Sequence, residues 1–258
     1  MIMQIDLNAD MGESFGPWPM GADAALLDII SSANIACGFH AGDPDVMAQA
    51  IAQAVANGVG IGAHPGLPDL QGFGRRRMQI AHDEARHLVA YQLGAAQAMA
   101  RMAGGQVRHL KLHGALANMA AEDEQLATAC YEGALAVDPD IILMVISGTA
   151  QARAATALGA RIAQEIFADR AYTEDGLLMD RRLPGAVIHD PDQVCARILD
   201  MLRAGAIITA TGTHLPAQID TICLHGDTAG AVALARALHE ALRAEGIRLQ
   251  AFTGERAA

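Results

Sequence analysis

Lysine is nearly missing from this chain: of 18 basic residues, Lys111 alone is lysine and the others are arginine. Aromatic residues are scarce too, at 3% of 258 residues, so a core drawn from a 52% hydrophobic composition is built of Ala, Leu, Ile, Val and Met. The net charge of −11 is spread along the chain without a basic patch, which disfavours nucleic acid and anionic membrane surfaces as partners. No apolar run approaches the roughly 18 residues that a bilayer span requires. No basic segment leads into a signal-peptide core, so the expected compartment is the cytoplasm. Cys37, Cys130, Cys195 and Cys223 form no close pair, which argues against a zinc knuckle or a disulfide framework. Neither a phosphate loop (GxxxxGK followed by Ser or Thr) nor an HExxH zinc motif is present. No linker, charge block or low-complexity stretch divides the chain, so residues 1–258 read as one domain.

What is there is a regular alternation. Strand-like runs fall at 3–9, 33–39, 58–63, 107–112, 140–146, 161–167 and 219–224. Helical stretches lie near 22–31, 43–57, 83–103, 122–137, 149–158, 190–204 and 228–245. Asp43-Pro44 and Asp190-Pro191 are helix starts, and Gly104-Gly105 closes the third long helix. Residues 206–218 suggest a small hairpin before the last strand. Such alternation argues for a parallel sheet. Seven units without a dinucleotide fingerprint favour an α/β fold of the incomplete, seven-stranded TIM-like (β/α)7 barrel type.

Four apolar runs end in His followed within two residues by Gly, at His40, His64, His113 and His225. Parallel α/β folds place ligand sites just beyond the carboxyl ends of their strands, so four imidazoles there suggest one polar pocket. His109, Lys111 and His113 are spaced two apart and share a face of one strand. Asp6, Asn8 and Asp10 do the same on the first strand, with Glu13 beyond a Gly turn. Buried polar groups of this kind are stable only when bonded to one another or to a ligand. Asp6 and Asn8 can brace the barrel end, whereas Asp10 and Glu13 lie nearer the mouth. Asp10, His40 and His64 form a plausible divalent-metal set, and the same imidazoles serve equally as acid–base groups. Arg75, Arg76 and Arg77 on a glycine-flexed loop suit either an anion clamp or a solvated turn. Glu165, Asp169 and Arg170 stand at another strand end, and Asp227 either caps the last helix or joins the chemistry. His82, His87, His189, His214 and His239 sit on helices or in turns, away from this pattern.

The longer motifs resemble those of the LamB/YcsF family almost from end to end. They run Asp6-Leu-Asn-Ala-Asp10-Met-Gly-Glu13, Ser32 through Pro44, Gly62 through Asp69, Gly72 through Arg76, Lys111 through Asn118, Phe167 through Tyr172, and Cys223 through Thr228. Departures are small: Gly66-Leu67 replaces the family's Ser-Tyr, Leu112 its Pro and Ala117 its Tyr. The resemblance implies the A subunit of a bacterial ATP-dependent 5-oxoprolinase, which opens the lactam of 5-oxoproline to glutamate. ATP then acts through the complex with subunits B and C, which activate the ring carbonyl. On that footing Asp10 or His40 is the expected base, Lys111 the oxyanion stabiliser, and His113 or His225 the proton donor to the ring nitrogen. Asn8, Glu13, His64, Arg75, Glu165 and Arg170 are the expected substrate contacts. The barrel also resembles the glycoside hydrolase/deacetylase superfamily, which leaves open a stand-alone metal-dependent deacetylase or amidohydrolase. A non-catalytic carrier within the complex is the third alternative.

Overall fold

The computed structural model describes residues 3–225 and 230–256. Along the first half run β1 (Gln4–Met11), α1 (Asp23–Leu27), β2 (Ser32–Ala36), α2 (Pro44–Ala56), β3 (Gly60–His64) and α3 (His82–Met102). Then come β4 (Val107–Lys111), α4 (Gly114–Glu122), α5 (Glu124–Val137), β5 (Ile142–Ile146), α6 (Ala150–Ala157) and β6 (Arg161–Phe167). The last part holds α7 (Pro191–Ala204), β7 (Ala206–Ile208), β8 (His214–Pro216), β9 (Thr221–Leu224), α8 (Ala231–Ala244), β10 (Arg248–Leu249) and β11 (Glu255–Arg256).

Strands β1 to β6 pair in sequence order, all parallel, and β9 closes the ring by pairing with both β6 and β1. The barrel therefore has the seven strands that the alternation predicts. Strands β10 and β11 extend its edge beside β1 and β6, and β7 with β8 makes the expected hairpin. Asp43 caps α2 through the Asp45 and Val46 amides, with Pro44 in the first turn, and Asp190 caps α7 in the same manner. Two helices differ from expectation. The first stops at Leu27, because the Ile29 and Ile30 amides both return to the Leu26 carbonyl. An unforeseen helix, α4, starts directly after His113. Gly226 and Asp227 lie outside the described residues, so the capping role considered for Asp227 does too. Among the described residues no helix is long and apolar enough to cross a membrane.

The apolar side chains of the strands and helices meet in a shell outside the ring, while much of the ring's interior is polar. On β1, Leu7 and Ala9 join the shell, whereas Asp6, Asn8 and Asp10 are buried on the other face of the same strand. The register puts Asp10 opposite Asn34 of β2, and Asp6 opposite Thr221 of β9. Gly62 on β3 is opposite His109 on β4. A Cβ there would sit 2.0 Å from His109 Nε2, so only glycine leaves room for that imidazole.

Candidate functional site

The floor of the interior is a closed hydrogen-bond network. Asp6 Oδ1 accepts from Ser31 Oγ (2.6 Å) and Ser32 Oγ (2.7 Å), and Thr221 donates to Oδ2. Burial nevertheless raises the Asp6 pKa to about 6. Above it, Asn8 donates to Thr221 Oγ1 (2.7 Å) and Glu165 Oε1 (3.1 Å). Asn34 donates to Asn8 Oδ1 (2.7 Å) and Asp10 Oδ1 (3.0 Å), while its own oxygen lies 2.8 Å from His109 Nε2. Burial, with Arg108 nearby, pushes the His109 pKa down to about 3, so this ring is a neutral donor to Asn34.

Lys111 stands on this floor, 4% exposed. Its ammonium donates at 2.9 Å to each of three acceptors from three strands: Asp10 Oδ1, Glu165 Oε1 and Cys223 Sγ. Burial works against its charge, but Asp10, Cys223 and Glu165 outweigh that and hold the pKa well above the usual lysine value. Burial likewise opposes the Asp10 carboxylate, yet His64 and Lys111 keep its pKa far below normal. Glu165 goes the other way, because burial outweighs the pull of Lys111.

Beside this group the histidines from three strand ends converge. His40 and His113 stack with ring centroids 3.6 Å apart, and His64 meets both edge-on. His64 Nδ1 donates to the Lys111 carbonyl (2.8 Å), and His113 Nε2 donates to the Phe73 carbonyl (2.9 Å). His64 Nε2 lies 3.3 Å from Asp10 Oδ2, and His40 Nε2 lies 3.6 Å from Glu13 Oε1. Burial, then the neighbouring rings, drives the His40 and His113 pKa values well below normal.

Across the mouth, His225 Nδ1 is 2.8 and 2.9 Å from the two Asp169 oxygens, which fixes its tautomer, and its ring lies on Phe167. One of its nitrogens falls within 4.8 Å of Asp10 and Cys223. Asp169, though buried, is held below its usual pKa by His225.

The arginines divide. Arg170 is buried and gives its guanidinium to the carbonyls of Ala186 and Met179, bracing the loop after β6. Burial lowers its pKa to about 10. Arg76 reaches in from the surface to the buried Asp69, and Arg77 pairs with Glu122 on the outer surface. Arg75 lies 4.8 Å over the Phe73 ring, at the rim of the histidine cluster. Of the residues singled out from the sequence, Asn8, Asp10, Glu13, His40, His64, Lys111, His113, Glu165 and His225 line one continuous buried region. Arg170 supports it from behind. Sequence reasoning passed over Asn34, Cys223 and Thr221. Their signal was the same period-two phase: Ser32 and Asn34 on β2, and Thr221, Cys223 and His225 on β9.

The model of the LamB/YcsF family matches residues 5–257. The chain belongs to the LamB/YcsF family. Among LamB/YcsF relatives, a protein from Ruegeria pomeroyi named as the A subunit of 5-oxoprolinase is 65% identical over 249 residues, spanning 96% of this chain and 98% of its own. A protein of the same name from Nitrobacter hamburgensis is 51% identical, spanning 97% and 98%. The crystal structure of a lactam utilization protein from Thermus thermophilus superposes with a TM-score of 0.91 at 41% identity, covering 97% of this chain and all of that one. A putative cellobiose-phosphate cleavage protein from Enterococcus faecalis shares the barrel at TM-score 0.55 and 15% identity, covering 96% of this chain and 97% of its own, a likeness of fold alone.

Proposed function

We propose that this chain, as a single barrel domain, is the A subunit of a cytoplasmic ATP-dependent 5-oxoprolinase. It completes the opening of the 5-oxoproline ring to glutamate after partner subunits B and C have used ATP to activate the carbonyl. The observation that carries this reading is the buried Lys111 ammonium, held by acceptors from three strands inside a barrel whose close relatives are named for that activity.

Opening the lactam puts negative charge on the carbonyl oxygen and requires a proton at the leaving nitrogen. Lys111 meets the first need. Its three N–H groups already have acceptors, and the Cys223 thiol is the weakest of them. A developing oxyanion takes the thiol's place while Asp10 and Glu165 keep the ammonium fixed. His225 meets the second need, oriented by Asp169 with one ring nitrogen left toward the substrate. His113 is the poorer donor, because its proton is held by the Phe73 carbonyl. Asp10 is the poorer base, because its charge is stabilised by His64 and Lys111. His225 therefore serves as both acceptor from water and donor to nitrogen.

Glutamate release from 5-oxoproline and ATP, with purified partner subunits and with or without this chain, tests the assignment. Release that requires the chain supports it. Release by the chain alone, without ATP or partners, points instead to a stand-alone hydrolase. Release by the partners alone sinks both.

A further inference from the structure

Two histidines at the mouth face each other with the wrong sides of their rings for a simple hydrogen bond. His64 Nδ1 and His113 Nε2 each donate to a main-chain carbonyl, so the other nitrogen of each ring is the one turned into the cluster. Those nitrogens, His64 Nε2 and His113 Nδ1, are 3.0 Å apart. With one N–H of each ring given to a carbonyl, a proton or a metal ion between these two nitrogens is what holds them at that separation. More electron-rich atoms crowd the same spot: Asp10 Oδ2 is 3.3 Å from His64 Nε2, and Glu13 Oε1 is 3.9 Å from His113 Nδ1. His40 completes the cluster. It is 1% exposed, and neither of its ring nitrogens has a hydrogen-bond partner, an arrangement that burial penalises. One donor atom from each of Glu13, His40, His64 and His113 lies within 4.8 Å of all the others.

We infer that Glu13, His40, His64 and His113 form a binding site for a divalent transition-metal ion, with three imidazoles and one carboxylate as ligands. The set differs from the Asp10, His40 and His64 combination that the sequence suggests. Asp10 Oδ1 is engaged by Lys111 and Asn34, and Glu13 and His113 complete the set. Bonds of about 2.0–2.1 Å to a tetrahedral zinc put neighbouring donors about 3.3 Å apart. Three of the six donor separations are 3.0, 3.6 and 3.9 Å, either side of that spacing, and all six lie within 4.8 Å. Three imidazoles select zinc, cobalt or ferrous iron over calcium or magnesium, which prefer oxygen shells. The carbonyls of Lys111 and Phe73 are the outer partners that fix the tautomers of ligating histidines. Glycine leaves room for the His40 ring, since a Cβ at Gly66 would fall 2.5 Å from its Nδ1 and one at Gly74 would fall 2.6 Å from the His40 Cβ. That ring, stacked on His113, turns out of the stack to share one ion with it. Three buried carboxylates, Asp10, Glu13 and Glu165, gathered beside one ammonium add a potential that favours a cation. The inference does not rest on the lactam assignment.

The test uses the full chain, stripped with chelator and titrated with zinc and cobalt by calorimetry and visible absorption. One ion per chain is expected, with cobalt showing the absorption of a four- or five-coordinate site. His40→Gln and His113→Gln should each weaken binding by more than the roughly 10–100-fold that loss of an outer partner costs. Circular dichroism identifies variants that fold, and Glu13→Gln substitutes for one that does not. Absence of stoichiometric uptake by the folded wild type overturns the site and leaves a proton shared between His64 and His113. Uptake unchanged in the folded variants overturns it as well. Neither readout involves glutamate, so this result and the fate of the lactam assignment are separable.

Discussion

Lys111 cannot be removed without leaving charge behind. Lys111→Ala strands Asp10 and Glu165 in the interior, and breaking a buried ion pair from one side costs about 3–5 kcal/mol. Urea unfolding should register that loss directly. In the folded fraction, glutamate release with partners should fall about 100–1000-fold, the usual effect of deleting an oxyanion donor. The triple change Lys111→Met, Asp10→Asn, Glu165→Gln removes the charges together, so it should regain stability but not turnover. A stable, active Lys111→Ala would rule out this role for the lysine. The lysine and the strand-end histidines were legible in the sequence because period-two spacing and terminal glycines point them inward. Cys223 and Asn34 were not, because a thiol and an amide look like ordinary core and surface residues until a buried charge lies beside them. Arg170 misled for the opposite reason: a charged residue at a strand end reads as a ligand contact, yet its partners are loop carbonyls that no sequence pattern reveals.

Between elements, the tightest constraint is where β3 meets β4. The register shifts between Ile61 and Gly62, and the His109 ring occupies the space a side chain on Gly62 would need. Gly62→Ala should destabilise by at least the roughly 1–3 kcal/mol typical of overpacking. Adding His109→Ala should return part of that loss, and thermal unfolding of the two single variants and the double variant measures the coupling. Equal, additive losses would mean that the residues do not compete for space. The seven strands were readable because each is a short apolar run with a turn signal at its end, as in the fully buried Ile142–Ile146. Helix α4 was missed because it follows His113 with no intervening loop and its Ala-rich face carries little periodic contrast. The early end of α1 depends on two amides sharing one carbonyl, which periodicity does not encode.

For the molecule as a whole, the polar interior sets how stability responds to pH. His109 has a folded pKa of about 3 against an ordinary value of 6.5. The unfolded chain therefore takes up a proton that the folded one refuses, and stability is lost as pH falls from about 6.5 toward 3. Asp6 has the opposite sign: its pKa of about 6 against 3.8 makes the folded state hold a proton longer, so stability is lost as pH rises from about 4 to 6. Each contributes about 1.4 kcal/mol per pH unit inside its window, so between about pH 4 and 6 the two nearly cancel. His109→Gln should leave the Asp6 slope exposed. Its stability relative to wild type should improve as pH drops through that range, as read by denaturant midpoints, and a constant difference would refute the assignment.

The same interior governs the order in which the molecule can come together. Asp6 obtains its third donor from Thr221, and Lys111 its third acceptor from Cys223, both on β9. A nascent chain emerging from its amino terminus holds β1 to β6 long before residue 221 exists, with their inward carboxylates and ammonium still short of partners. Such a half-built ring has little reason to expel water, because the groups it would bury are not yet satisfied. Closure thus waits for contacts spanning more than two hundred residues, a topology that slows folding and makes it cooperative. Chains cut before β9 should behave as unfolded or aggregation-prone fragments, and that strand acts as the keystone of assembly.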